Sequence, residues 1–211
     1  QFNTAQIIAD SSQVQAITYA VAALETTIID EFAGQEPTLS LKASVEGEAT
    51  LNAFDADTTT RVIGFLYGAI DGVQCYDRAF PTAVESSLNT GIVETTEDTV
   101  KVKFQVRSSV ATKLTDMQNK LDLATDLAGA SREISGAYPA WAYNADSVIR
   151  PKALALYKDM FGTEPTVETT HGGLECGILF GKKPDLDIIS FGPDLTGVHT
   201  YHERVHIAST Q

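Results

Sequence analysis

The sequence predicts an α+β sandwich, with helices on one face of a mainly antiparallel sheet, followed by part of an α/β domain. Three observations point there. The run "ESSLNTGIVETTEDTVKVKFQVRSSV" sets two β-branched stretches on either side of "TTED", and "VKVKFQV" alternates strictly, which is a hairpin signature. Helical periodicity precedes and follows the hairpin, in the order strand, helix, strand, helix, hairpin, helix, strand. Beyond Tyr138 and Pro139 the character changes to strand-like runs that end in glycine, with helical sequence among them.

Taken in order, "FNTAQIIA" reads as a strand with Phe2, Ala5, Ile7 and Ile8 as its apolar residues. "DSSQVQAITYAVAALETTIIDEFAG" opens on capping residues and carries Val14, Ile17, Val21, Leu24 and Ile28 at helical spacing, with Gly34 as C-cap. "PTLSLKASV" alternates through Leu39, Leu41 and Ala43 like a strand, and "DADTTTRVIGFLYGAIDGV" is a second helix stopped by Asp71 and Gly72. After the hairpin a third helix is expected over residues 111–128, offering Leu114, Met117, Leu121 and Leu123 to a core; "SREISGAY" returns as a short strand. "DSVIRPKALALYKDMFG" is an amphipathic helix that must start close to Pro151, because proline is tolerated in a first turn and not in a helix interior. "TVETTHGG" and "DIISFGP" are strand-like and flank "LECGILFGKKP". A domain boundary is placed at about 136–140, and no internal repeat or low-complexity segment is present.

With 211 residues, 43% hydrophobic and 20% charged, the chain can bury a sizeable core. A formal net charge of -13 argues against nucleic acid, whose phosphates demand concentrated Lys and Arg. No Lys/Arg-rich run invites an anionic membrane surface either. Cys75 and Cys176 fit no C-x-x-C pattern and are expected as free thiols. No apolar stretch reaches membrane-spanning length and no signal peptide opens the chain, so a cytoplasmic setting is expected. The chain lacks an initiator Met and opens in strand-like sequence, as expected of a piece of something longer.

Candidate chemistry gathers near the end. "GVHTYHERVHI" holds His199, His202 and His206. On a helix the three would share a face; on a strand His202 and His206 would oppose His199, and the β-branched and aromatic neighbours favour the extended form. A histidine following "SFGPDLTG" at a strand end suits a metal or catalytic role, since α/β proteins place their sites at the carboxyl ends of strands. In "THGGLECG", Gly172 and Gly173 permit close backbone approach to a ligand and Glu175 supplies a carboxylate, while a tight turn with a surface acid is the plainer alternative. Arg107 ends the "VKVKFQV" strand, where arginine is ordinarily solvated. Tyr138, Pro139 and Trp141 read as packing at the domain junction.

"HGGLECGILFGKKPDLDIISFGPDLTGVHTYHERVHI" resembles the C-terminal signature of the aminoacyl-histidine dipeptidases, relatives of the carnosinases and aminoacylases among di-zinc metallopeptidases. Their pattern there is H-A-G-L-E-C-G, then P-[DE]-[LM]-D and [IV]-S-[FI]-G-P, then G-x-H-S-P-D-E-x-V-H-I. "VESSLNTGIV", "VRSSV" and "GAYPAW" resemble the family's V-E-T-S-L-N-x-G-x-V, I-R-S and G-A-Y-P-x-W, so the resemblance runs in register along essentially the whole chain.

This resemblance implies a catalytic α/β domain interrupted by an inserted lid that mediates dimerisation. Residues 1–137 would be most of the lid, with its start missing, and residues 138–211 the C-terminal return into the catalytic domain. It further implies two zinc ions per intact site, with most ligands and the general-base Glu outside this stretch, and a final helix that would follow "VHIAST". His199 maps onto the zinc ligand of the G-x-H motif; Arg107 onto the lid arginine that holds a substrate's terminal carboxylate; Gly173 and Glu175 onto the turn lining the substrate pocket. His202 stands where the family has Asp and Tyr201 where it has Pro, and His206 matches a position without a metal role. The expected function is dipeptide hydrolysis, Xaa-His included, by a homodimeric parent, with this stretch alone inactive. An aminoacylase or tripeptidase of the same clan, or a non-catalytic binding and dimerisation module, are the alternatives.

Overall fold

The computed structural model describes residues 3–49 and 52–210. It divides into two compact units, residues 1–59 and 60–211. The N-terminal unit holds one long helix. Asp10 opens it, its Oδ1 accepting from the Ser12 N–H at 2.8 Å and the Ser12 hydroxyl at 2.7 Å. A 3-10 turn, Ser11–Gln13, then leads into α1, Val14–Glu31. Val14, Ile17, Val21 and Ile28 make the half-buried stripe that their spacing predicts, but Leu24 is 52% exposed and Glu25 occupies its place in the stripe. Glu25 is held there by the Leu41 N–H at 3.1 Å and the Lys42 ammonium at 2.8 Å. These two contacts hold its carboxyl below the usual range, Lys42 contributing first.

The expected strands at "FNTAQIIA" and "PTLSLKASV" do not form among the described residues; Phe2 lies outside them. Leu39 and Leu41 keep the alternation as half-buried positions around an exposed Ser40, without a ladder partner. Alternation states which face is buried; a strand also needs a neighbour for its N–H and C=O groups.

Helix α2, Ala56–Gly68, crosses the division, its first turn capped by Asp55 Oδ1 accepting from the Thr58 N–H at 2.6 Å. The larger unit then carries an antiparallel sheet of β1, Gly72–Tyr76, β2, Val84–Thr95, and β3, Val100–Ser108, in that spatial order. The β2–β3 turn closes through the Thr96 N–H on the Thr99 carbonyl at 2.8 Å. Helix α3, Ala111–Leu127, follows within two residues of β3 and packs back on it.

Register explains the two faces of this sheet. Leu88 lies opposite Val106, Ser86 opposite Ser108, and Ser87 opposite Arg107. Leu88 is 2% exposed and packs with Met117 and Leu121 of α3, surrounded by Ala69, Ile70, Phe104, Val106 and Leu114. Phe65 of α2 meets Phe104 of β3 edge-on at 5.9 Å, which sets α2 on the same face as α3. Leu123, expected in the core, is 61% exposed because its helical phase points it outward. On this covered face Ser86 Oγ and Ser108 Oγ share a buried hydrogen bond of 2.9 Å, and Ser108 Oγ also accepts from the Val110 N–H at 3.0 Å. Both hydroxyls are satisfied where no water reaches, as buried polar groups must be. The other face, one residue out of phase, presents Ser87, Asn89, Gln105 and Arg107.

Beyond α3 the chain is sparser. Tyr143 lies edge-on to Phe80 at 4.9 Å and under the Arg150 guanidinium at 4.4 Å, which ties this stretch to the β1–β2 loop. Helix α4, Ile149–Phe161, holds Pro151 in its first turn and ends on left-handed Gly162, matching the expected start and stop. Asp187 caps it from a distance, Oδ2 accepting from the N–H groups of Val148 at 2.6 Å and Ile149 at 2.9 Å. Its carboxyl is held below the ordinary range, by the Ile149 N–H above all.

Helix α5, Glu175–Lys182, is followed by a two-residue ladder between β4, Leu195–Thr196, and β5, Arg204–Val205, and then by a 3-10 turn, Ile207–Thr210. "SREISGAY", "TVETTHGG" and "DIISFGP" lie outside any strand, since no segment among the described residues lies in ladder register with them. Both cysteines are free thiols. Among the described residues no helix is long and apolar enough to cross a membrane.

Candidate functional site

The polar face of the sheet carries the best-defined candidate site. Alternation along β3 that half-buries Val102, Phe104 and Val106 leaves Arg107 exposed, on the face away from the helices. Its cross-strand neighbour Ser87 bonds to His171, Oγ to Nε2, at 2.7 Å. His171 is half-buried, and desolvation lowers its pKa from the ordinary 6.5, with the Arg107 guanidinium repelling the proton further. At neutral pH the imidazole is therefore neutral. Arg107 makes no ion pair among the described residues, so its guanidinium keeps its donors for an anion.

The turn that follows His171 is packed against the chain itself. A Cβ on Gly173 would come within 2.8 Å of the Tyr138 ring, so the close approach that this glycine permits is taken by Tyr138. A Cβ on Gly177 would lie 2.8 Å from the Pro139 carbonyl oxygen, and one on Gly181 2.9 Å from the Pro139 ring. "GAYPAW" thus lies along the glycine edge of "HGGLECGILFG". Glu175 begins α5 as an exposed carboxylate.

His199 stands apart, in the loop that β4 and β5 close. Its φ of +63° makes it the one non-glycine residue in the left-handed region among those described. Glu203 Oε2 accepts its N–H at 3.0 Å, and the Thr200 hydroxyl donates to the Gly197 carbonyl at 2.7 Å. Gly197 is itself left-handed at +63°, and a Cβ there would fall 2.9 Å from the His202 carbonyl oxygen. The flanking glycine and glutamate therefore shape the loop that presents His199. His199, His202 and His206 are all exposed, and among the described residues no three His, Cys, Asp or Glu side chains converge as a metal cluster. A metal ion at His199 would need further ligands from outside the described residues.

Arg107 and the turn before Gly173 and Glu175 are brought to one sheet face through Ser87 and His171; among the described residues no hydrogen bond or ion pair joins His199 to them. Sequence reasoning passed over His171. The only signal was its position at the head of the H-G-G-L-E-C-G run, because its partner lies 84 residues earlier.

An antiparallel sheet backed by helices, with a glycine-rich turn bonded to its polar face, defines an α+β arrangement that known proteins share. It superposes on the crystal structure of aminoacylhistidine dipeptidase from Vibrio alginolyticus with a TM-score of 0.78 and 27% identity, over 95% of this chain and 41% of that one. It is also 31% identical over 210 residues to the cytosol non-specific dipeptidase of Escherichia coli strain K12, which covers 99% of this chain and 42% of that enzyme. The chain is thus a homologue of these dipeptidases and spans about two fifths of the length of the relatives it matches. No family model matches it.

Proposed function

We propose that this chain is part of a zinc-dependent dipeptidase that hydrolyses Xaa-His and other dipeptides, with residues 1–137 as the lid and dimerisation domain and residues 138–211 as the C-terminal catalytic segment. The supporting observation is similarity to a cytosol non-specific dipeptidase along 99% of the chain. Arg107 holds the dipeptide's terminal carboxylate, a task that suits a guanidinium with no ion pair among the described residues. Gly173 and Glu175 line the pocket beside it. His199 is one zinc ligand, its partners and the general base coming from parts of the protein outside this stretch. Zinc, when bound, would polarise the scissile carbonyl and activate water. The parent works in the cytosol as a homodimer through the lid, and this chain alone is inactive.

The test is turnover by the full-length protein of dipeptides, tripeptides and N-acyl amino acids, with and without a chelator. Chelator-sensitive hydrolysis of dipeptides is expected; preference for N-acyl amino acids or tripeptides would replace the assignment within the clan. No turnover at all would leave a binding and dimerisation module. Arg107→Ala should raise KM for dipeptides by about 10- to 100-fold, the range for a lost hydrogen bond to a charged partner. Dipeptide amides, which lack the carboxylate, should be unaffected.

A further inference from the structure

We propose that His171 is a positioning residue, and Ser87 its anchor, for a carboxylate-binding subsite built on Arg107. The juxtaposition is that of Ser87 and Arg107, cross-strand neighbours on the polar sheet face, with His171 bonded to Ser87 at 2.7 Å. As an account of the substrate this rests on the dipeptidase reading above; as an account of carboxylate binding it stands on the geometry alone.

The chain's own packing makes the role specific. The Tyr138 ring covers Gly173 on one side, so the turn is fixed at that end by van der Waals contact. At the other end the His171–Ser87 bond is its one hydrogen-bonded tie to the sheet among the described residues. Without it, residues 171–173 lose the anchor that keeps them beside Arg107. The depressed proton affinity of His171 fits this part, because a neutral ring serves as a hydrogen-bonding strut without competing with the guanidinium for the anion.

A positioning role differs from a charge role in what rescues it. Glutamine can offer an amide where the ring presents Nε2, whereas alanine cannot. In the full-length protein, His171→Ala should raise KM for Xaa-His dipeptides by roughly three- to tenfold with kcat within twofold, the scale of one neutral hydrogen bond. His171→Gln should recover most of that loss, and Ser87→Ala should resemble His171→Ala.

A second measurement needs no activity. With acetate as the probe, the imidazole resonances of His171 in the full-length protein should shift saturably, and Arg107→Gln should abolish the shift. Equal damage from alanine and glutamine at position 171, a His171 signal indifferent to acetate, or one that responds equally without Arg107 would each overturn the proposal. If the full-length wild type hydrolyses no dipeptide, the dipeptidase reading fails by itself, and the acetate response decides this one.

Discussion

Two parts of the larger unit use comparable sequence to very different effect. Between residues 60 and 128 a three-stranded sheet and the helices on its covered face enclose Leu88, Met117 and Leu121, all under 7% exposed. Between residues 138 and 210 the apolar residues are as frequent, yet Phe191 is 90% exposed, Ile207 74% and Leu179 52%. The first part finds its partners nearby: β2 and β3 are joined by a short turn, and α3 starts within two residues of β3. The second holds strand-like segments without a ladder and is kept in place by scattered ties, among them Tyr143 on Phe80, Asp187 on the start of α4, Pro139 on the glycines of α5, and His171 on Ser87. Burial follows from where partners lie, and hydrophobicity alone does not deliver it.

The sharpest way to break this contrast is Leu88→Ala. Its side chain fills the centre of the core, and the substitution should cost about 2–5 kcal/mol of unfolding free energy in urea. A loss under about 1 kcal/mol would mean that the sheet and helices are not the stable part. Gly173→Ala comes next, since the added methyl group meets the Tyr138 ring at 2.8 Å. About 1–3 kcal/mol of overpacking is expected, relieved when Tyr138 is also reduced to Ala.

A smaller effect belongs to His171. Because its folded pKa lies below the unfolded value near 6.5, the unfolded chain takes up the proton first as pH falls. The contribution of His171 to stability is therefore full above that value and declines below it, by at most one proton's worth of slope. His171→Ala should flatten that part of a stability–pH curve measured by denaturant titration. The smallest effect is predicted for Phe191→Ser, within about 0.5 kcal/mol of wild type, as for other exposed positions. A loss comparable to that of Leu88→Ala would erase the distinction between the two parts.

The same contrast governs what could be read from the sequence. The hairpin, α3 and α4 were legible because their determinants are local: an alternating pair around "TTED", a periodic stripe, a proline at the start and Gly162 at the end. Facing was less secure, since a helix stripe is wide and one residue changes its edge; Leu24 and Leu123 turn outward where Glu25 and Thr125 turn in. The strands expected in "PTLSLKASV", "TVETTHGG" and "DIISFGP" need partners that periodicity cannot supply. The individual site residues could be singled out from motifs, but not their arrangement: nothing in the spacing from Ser87 to His171 announces a 2.7 Å bond. Conversely, three histidines close in sequence share no metal-sized cluster in space.

The hydroxyl pair of Ser86 and Ser108 has an effect on the side of the sheet it never touches. A strand slipped by one residue exchanges its faces. Such a slip of β3 would send the Arg107 guanidinium toward Leu88 and Met117 and bring Val106 or Ser108 out to meet His171. Two serines matched across the ladder in the dry interior lock the count of residues, much as a key fits only one rotation of a cylinder. The arginine that faces water on one side is held to its bearing by a bond that water never reaches on the other.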